Sequence, residues 1–400
     1  MRKILLGIAI TSALFTSCSS DDDNFNENPQ VEAPLTYKFM RDGESTVNFN
    51  GQTTRIKMAM EFRSALKDNT KSAADLHGMF AHVEGDNDFS DADLNASGKN
   101  IRSKVAASKE YFSANTTVSN QIKGLLDTWI EDQATTVFPN WETIATAGTA
   151  GQLQQAGGGT VRYVNGKGLE LDQAIAKTLI GGLMTDQMLN HYLSTSVLDE
   201  ASNIQNNDAG LVEEGKSYTT MEHKWDEAYG YLYGNEDEPS VPVLGADSFL
   251  NTYLKQVDLD PDFEGTASAV YDALKLGRAA IVAKNYEVRD AQVAIIRENI
   301  SKVPAVRAVY YLQAGKSKMA AEDMASAFHA LSEAYGFINS LQFTREPNSS
   351  EPYFSHDEVT AFMDTLMEGQ GFWEVTPETL DAMSETIAAK FGFTVAEAAN

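Results

Sequence analysis

The sequence predicts an all-α protein built from two similar helix bundles, with a short N-terminal strap or hairpin. Apolar residues recur at three- and four-residue steps through most of the chain, which is the period of an amphipathic helix. Only 10 of the 400 residues are proline, so helices can run without interruption. Two distant segments also repeat one helical pattern, and a chain of this length has room for two domains.

Residues 1–17 have the layout of a secretory signal peptide, with a basic start followed by a short apolar run. The stretch 14–18 resembles a bacterial lipobox, in which cleavage leaves a lipidated cysteine at the new N-terminus. Cys18 is the single cysteine of the chain. We therefore predict that Cys18 is lipidated and attaches the protein to the bacterial outer membrane, where it faces the periplasm or the cell surface. The alternative is a chance cysteine in an ordinary signal peptide.

The segment 18–35 is rich in Asp, Asn, Glu and Pro, and we expect it to be a flexible tether. Its acidic run at 21–23 resembles a surface-export signal of lipoproteins, and the alternative is the start of a solvated linker.

Two further domains are predicted after the tether, a first bundle at 36–238 and a second at 239–400. Weak alternation over 36–55 predicts the strap, and a glycine-rich stretch at 148–168 predicts a loop with a short hairpin. The acidic, proline-containing stretch 234–246 predicts the connection between the bundles. Helical periodicity indicates helices from residue 56, broken near residue 69, and at 117–138, 169–193, 267–283, 289–302, 304–313, 317–341, 355–368 and 376–390.

Prolines and caps mark some of the helix starts. Pro304 and Pro377 are each predicted near a start, where the missing N–H costs nothing. Thr376 is a candidate cap of the last long helix.

An internal repeat carries the candidate site. Residues 223–231 read His-Lys-Trp-Asp-Glu-Ala-Tyr-Gly-Tyr, and residues 329–337 read His-Ala-Leu-Ser-Glu-Ala-Tyr-Gly-Phe. The shared His, Glu, Ala, Tyr and Gly suggest two bundles related by duplication, with equivalent helices carrying the segment. Because histidine and glutamate are four residues apart in each copy, they lie on one helix face.

Imidazole and carboxylate groups on one face can hold a metal ion, move a proton or form a charge-assisted hydrogen bond. The alternative for each pair is a buried polar contact that locks helix packing, and Trp225 and Tyr229 are predicted to be core residues. Glu170, Gln173 and Lys177 share a helix face that is predicted to be exposed unless it points at His223. The candidate ligand or metal residues are His223, Asp226, Glu227, His329 and Glu333.

The charge balance excludes some partners. There are 57 acidic and 31 basic residues, a formal charge of −26. Nucleic acids carry dense negative charge, so we expect no nucleic-acid partner. Membrane attachment is expected through lipid on Cys18 alone.

Three stretches together resemble a lipoprotein family catalogued as domain of unknown function 4856, from about residue 35 onward. They are 164–170 with 179–183, the repeat segment at 222–231, and 277–281. That family is similar to the imelysins, two-bundle helical proteins of the bacterial envelope associated with iron uptake and once classed as peptidases.

The imelysin signature is Gly-x-His-x-x-Glu. His223 matches its histidine, whereas Asp226 stands at the glutamate position and Met221 at the glycine position. Glu227 lies one place later.

Three functions follow from these patterns. The first is a ligand-binding accessory in iron or other cation acquisition, working beside an outer-membrane transporter and holding iron or another divalent metal. The second is a structural or glycan-binding surface lipoprotein, and the third is a metal-dependent hydrolase. No catalytic residue is assigned, and we expect a binding protein rather than an enzyme.

Overall fold

The all-α prediction is confirmed in the computed structural model, which describes residues 31–400. Residues 31–400 form one compact unit. None of the described helices is both long and apolar enough to cross a bilayer. The predicted signal peptide at 1–17, lipidation at Cys18 and most of the 18–35 tether lie outside the described residues.

The first half of the described chain starts with a small antiparallel hairpin, β1 (Met40–Arg41) and β2 (Glu44–Ser45). A second antiparallel hairpin, β3 (Gly151–Gln154) and β4 (Val161–Val164), lies in the glycine-rich stretch, as predicted. The helices of this half are α1 (Asn50–Ala65), α2 (Ala73–Ala81), α3 (Ala92–Asn95), α4 (Thr116–Asp132), α5 (Leu171–Leu179), α6 (Thr195–Leu198), α7 (Asn203–Asp208) and α8 (Thr220–Tyr233).

The helices of the second half of the chain are α9 (Leu250–Asp258), α10 (Thr266–Val282), α11 (Tyr286–Ala320), α12 (Met324–Ser340), α13 (His356–Leu366), α14 (Pro377–Phe391) and α15 (Val395–Ala398). Helix α11, the longest of the described helices, packs against α9, α10, α12 and α14, while α5 packs against α12.

Local signals at helix ends act as predicted at two places. The side chain of Thr376 accepts a hydrogen bond from the backbone N–H of Thr379, and Pro377 occupies the first turn of α14. The break predicted near residue 69 separates α1 from α2. The 234–246 stretch connects α8 to α9 without a helix or strand.

The predicted helix start at Pro304 is wrong, because Pro304 lies inside α11. An interior proline removes one backbone hydrogen bond and costs about 3 kcal/mol or more in an isolated helix. Pro304 is buried together with its neighbours Val303 and Ala305, so the packing of a central helix offsets that cost.

The strap is shorter than predicted, since α1 already begins at Asn50. Gln52 and Arg55 are polar but buried on this first part of α1. Because these two buried positions are polar, the sequence here lacks the three- and four-residue apolar spacing that predicts a helix.

The two repeat segments are both helical, on α8 and α12, and each packs closely on another helix through its glycine. A Cβ atom added to Gly230 would lie 2.3 Å from the Phe49 Cβ atom, at the start of α1. A Cβ atom added to Gly336 would lie 2.6 Å from the Lys177 Cβ atom on α5. The duplication and the boundary between 238 and 239 remain predictions.

Gly336→Ala should lower the free energy of unfolding by about 1–3 kcal/mol, the usual cost of overpacking a core. The added methyl group would also lie 2.7 Å from the backbone oxygen of Ala174, which cannot move independently of α5. Urea unfolding of the parent and the variant measures the effect.

Gly124→Ala on α4 is the matched control, because no atom lies within 4 Å of its added Cβ. Alanine should stabilise that open helical position by roughly 0.5–1 kcal/mol. Equal effects of the two substitutions would contradict the close packing of α5 on α12.

Candidate functional site

The first copy of the repeat does not bring its two carboxylates together. Asp226 is fully buried, accepts a hydrogen bond from the Tyr37 hydroxyl at 2.7 Å, and pairs with the Arg278 Nε atom at 3.0 Å. Arg278 is also fully buried and contacts Glu222 at 3.2 Å. Burial raises the pKa of Asp226 to about 6, and Arg278 acts in the opposite direction. Asp226 is therefore part of a buried ion network.

Glu227 is neutralised on its own helix. The Lys224 ammonium group lies 2.9 Å from its carboxylate, and the Gln52 amide donates to it at 3.1 Å. Burial acts to raise the pKa of Glu227, but Lys224, His223 and Gln52 together outweigh burial and lower it.

His223 lies near Glu227 without a close hydrogen bond. Its Nε2 atom is 4.0 Å from the Glu227 carboxylate, and its ring stacks on Tyr218 with centroids 4.6 Å apart. Burial lowers the pKa of His223, which favours the neutral ring. The contacts of this first copy are therefore those of buried polar residues that hold helices together.

The second copy has different surroundings. His329 Nδ1 lies 2.7 Å from a Glu170 carboxylate oxygen, and His329 Nε2 lies 3.9 Å from Glu333. Glu333 is paired with the fully buried Lys177 at 2.9 Å and accepts a hydrogen bond from the Tyr253 hydroxyl at 3.1 Å. One imidazole thus lies between two carboxylates that belong to different helices.

These residues lie at a pocket of about 430 Å³, which we call the His329 pocket. The end of α1, the turn after α4, strand β4, the start of α5 and helix α12 surround it. Besides His329, its charged lining residues are Arg63, Lys67, Arg162, Glu170, Asp172 and Glu333.

Backbone contacts hold Glu170 in place at the start of α5. Its N–H donates to the Ser332 hydroxyl on α12 at 2.8 Å. Its side chain is only 2% exposed and turns toward His329. The connection between the two helices therefore fixes the carboxylate at the pocket wall.

The pKa values of the three acids differ because their surroundings differ. Burial raises the pKa of Glu170, against the effect of His329, and raises that of Asp172, against the effect of Lys177. Burial acts in the same direction on Glu333, but Lys177 and His329 outweigh it and lower its pKa to about 2. Glu333 is thus the acid most firmly held as an anion.

Four buried side-chain atoms of this pocket have no hydrogen-bond partner within residues 31–400. Two are donors, Nε of Arg63 and Nε of Arg162. Two are acceptors, an oxygen of Glu170 and the amide oxygen of Gln133, and both of these residues are only 2% exposed. Buried polar atoms are normally paired with protein groups, water or a ligand, so this pocket is suited to polar partners.

Two aromatic residues complete the pocket. Trp141 and Tyr163 are half-buried and stack face to face, with ring centroids 3.4 Å apart and planes inclined by 8°. Tyr163 lies on β4, so the hairpin positions this aromatic pair beside the polar atoms.

The residues present do not fit the predicted iron or other divalent metal. Within residues 31–400 no group of three or more His, Cys, Asp or Glu side chains is arranged to hold a metal ion. Lys224 forms an ion pair with Glu227 in the first copy, and Lys177 forms one with Glu333 in the second. An ammonium group at the carboxylate competes directly with a cation.

The face of Glu170, Gln173 and Lys177 was predicted to be exposed, and this is wrong. All three residues are buried, with Lys177 completely enclosed. Their burial results from α12 packing over α5, which local sequence reasoning does not show. The one signal in the sequence was that these polar residues lie on an otherwise apolar helix.

Sequence reasoning missed six other residues of the pocket, because they come from four separate segments of the chain: Arg63, Lys67, Gln133, Trp141, Arg162 and Asp172.

A comparison with protein families identifies one match. The family model described as Domain of unknown function (DUF4856) matches residues 34–394. No curated protein and no solved structure gave a significant match. The predicted family resemblance is confirmed, while the likeness to imelysins remains a prediction.

Asp226→Ala should lower the free energy of unfolding by about 3–5 kcal/mol, because Arg278 would lose one of its two buried carboxylate partners. Asp272→Ala is the control, since Asp272 is exposed and, within residues 31–400, pairs only with the neighbouring Lys275. Its effect should stay within about 0.5 kcal/mol. Thermal or urea unfolding measures both, and similar small effects would argue against a structural role for Asp226.

Glu333→Gln should also cost about 3–5 kcal/mol at neutral pH, because Lys177 would remain buried without its anion. The folded-state pKa of about 2 lies below the ordinary value of 4.5. The carboxylate therefore stabilises the fold above pH 4.5, and this contribution is lost as the pH falls toward 2. Urea unfolding between about pH 5 and pH 3 should show a steeper loss in the parent than in the variant. Parallel pH profiles would contradict the pairing.

Proposed function

The chain belongs to the DUF4856 family, and we propose that it is an envelope lipoprotein that binds a saccharide in the His329 pocket. The observation that carries this proposal is the set of four unpaired polar atoms. Two of them donate hydrogen bonds and two accept them. A hydroxyl group does both, so a polyhydroxylated ligand can satisfy donors and acceptors that stand side by side.

The distance between two of these atoms supports the same ligand class. Arg162 Nε and the unpaired oxygen of Glu170 are 3.9 Å apart, too far for a direct hydrogen bond. One hydroxyl placed between them can accept from the guanidinium group and donate to the carboxylate. Leaving such buried groups unpaired costs about 1–3 kcal/mol each, and this favours occupation of the pocket.

The aromatic pair supports the proposal from the other wall. Small-molecule pockets combine an apolar surface with a few polar groups that fix orientation. Trp141 and Tyr163 supply a flat apolar surface beside the polar atoms. A sugar ring has one such apolar face of C–H groups, with hydroxyls around its edge.

The location of the protein is part of the proposal and rests on the sequence. The signal-peptide layout and the single Cys18 support export and lipidation. Several acyl chains on one cysteine would form a firm anchor, at about 0.8 kcal/mol for each buried CH₂ group. An outer-membrane transporter that takes up the bound ligand is a suitable partner.

The two metal-based functions receive less support from the geometry. Cation acquisition and metal-dependent hydrolysis both need carboxylates that are free to bind a cation. Glu227 and Glu333 are each paired with a lysine, and Asp226 is paired with Arg278. The glycan-binding alternative is therefore the one that the pocket favours.

Isothermal titration of the purified chain with a panel of oligosaccharides tests the proposal. At least one should bind, and Tyr163→Ala should weaken its binding about tenfold, because the flat surface is lost. Tyr353→Ala is the matched control, since Tyr353 is also half-buried and stacks on an aromatic partner, with centroids 4.1 Å apart, outside the His329 pocket. The control should leave affinity unchanged. Failure of the whole panel, or equal losses in both variants, would overturn the proposal.

A further inference from the structure

The charge balance of the His329 pocket differs from that of the acidic chain around it. The chain as a whole carries a formal charge of −26. Its pocket nevertheless holds three strong cations, Arg63, Lys67 and Arg162. Within residues 31–400, neither Arg63 nor Lys67 has a carboxylate oxygen within 4.0 Å, and Arg162 approaches one only at 3.9 Å.

The acids of the pocket do not neutralise these cations in full. Glu333 is used by Lys177, and Glu170 makes its short contact with His329. Asp172 accepts a hydrogen bond from the Gln173 amide at 2.8 Å. Counted together with Lys177, which pairs with Glu333, the cations of the pocket among the described residues number four and its acids three, so one positive charge remains uncompensated.

We propose that the saccharide bound here is acidic and that its carboxylate docks against Arg63 and Lys67, while a hydroxyl bridges Arg162 and Glu170. This inference rests on the proposed function, and it specifies the class of sugar. A guanidinium group binds a carboxylate with a planar set of donors, and the unpaired Nε atom of Arg63 is such a donor. Lys67 is exposed at the same pocket and adds a second positive charge.

The arrangement also gives selectivity within an acidic protein. Most of the surface repels an anionic sugar, whereas the pocket attracts it. Neutral sugars lack the group that would pair with the cations. Because Lys67 is exposed, its share of the attraction should be screened by salt, with a Debye length of about 10 Å at 0.1 M ionic strength.

The test compares matched sugars on the purified chain. Each uronic-acid oligosaccharide is titrated beside its carboxyl-reduced form, in which the carboxylates have become primary alcohols. The acidic form should bind at least tenfold more tightly in low salt, and the difference should shrink as salt is raised. Equal affinity of the two forms, or tighter binding of the reduced form, would overturn the inference while leaving saccharide binding intact.

Charge variants locate the effect. Lys67→Gln should remove at least threefold of the preference for the acidic form and leave the affinity for the reduced form unchanged. Lys57→Gln is the matched control, because Lys57 is an exposed lysine outside the pocket, on the helix α1 that ends just before Lys67. If both substitutions change the preference for the acidic form equally, the carboxylate of the sugar does not bind at this pocket. If neither form of any sugar binds the parent, the proposed function fails together with the inference.

Discussion

A fully buried ammonium group, that of Lys177, determines the shape of the candidate site. A buried charge is tolerated only when it is paired and hydrogen-bonded. The Lys177 Nζ atom meets Glu333 at 2.9 Å and the Gln173 amide oxygen at 2.9 Å, and this ties α5 to α12. This pairing fixes Glu333 next to His329, so the pocket has a rigid polar wall at this point.

Small sequence differences separate the two copies of the repeat. Lys224 in the first copy corresponds to Ala330 in the second, so Glu333 has no lysine partner on its own helix. The partner comes instead from α5. Asp226 corresponds to Ser332, whose hydroxyl accepts from the backbone N–H of Glu170.

The same pattern therefore produces two outcomes. In the first copy, Lys224 pairs with Glu227 and Arg278 pairs with Asp226, so both carboxylates are neutralised. In the second copy, His329 faces a pocket whose other walls supply unpaired polar atoms. The repeat identified the two helices that carry the candidate residues. The residues between the shared positions determine which of the two copies faces a pocket.

The sequence could predict the parts of the structure that depend on local signals. Helical periodicity, the Thr376 cap and the glycine-rich hairpin were all recognisable, because each depends on residues close together in the chain. Pro304 could not be placed correctly, since only burial on a central helix makes an interior proline acceptable. The pocket depends on contacts such as Glu170 with His329, between residues far apart in sequence, so its walls were beyond local reasoning.

A crystal structure of the chain with a bound uronic-acid oligosaccharide tests the central claim most directly. The account predicts the sugar ring against an outer face of the Trp141–Tyr163 stack, with its carboxylate beside Arg63 and its hydroxyls within hydrogen-bond distance of Arg162, Gln133 and Glu170. A sugar bound at another surface, with the His329 pocket unchanged and free of ligand, would contradict it.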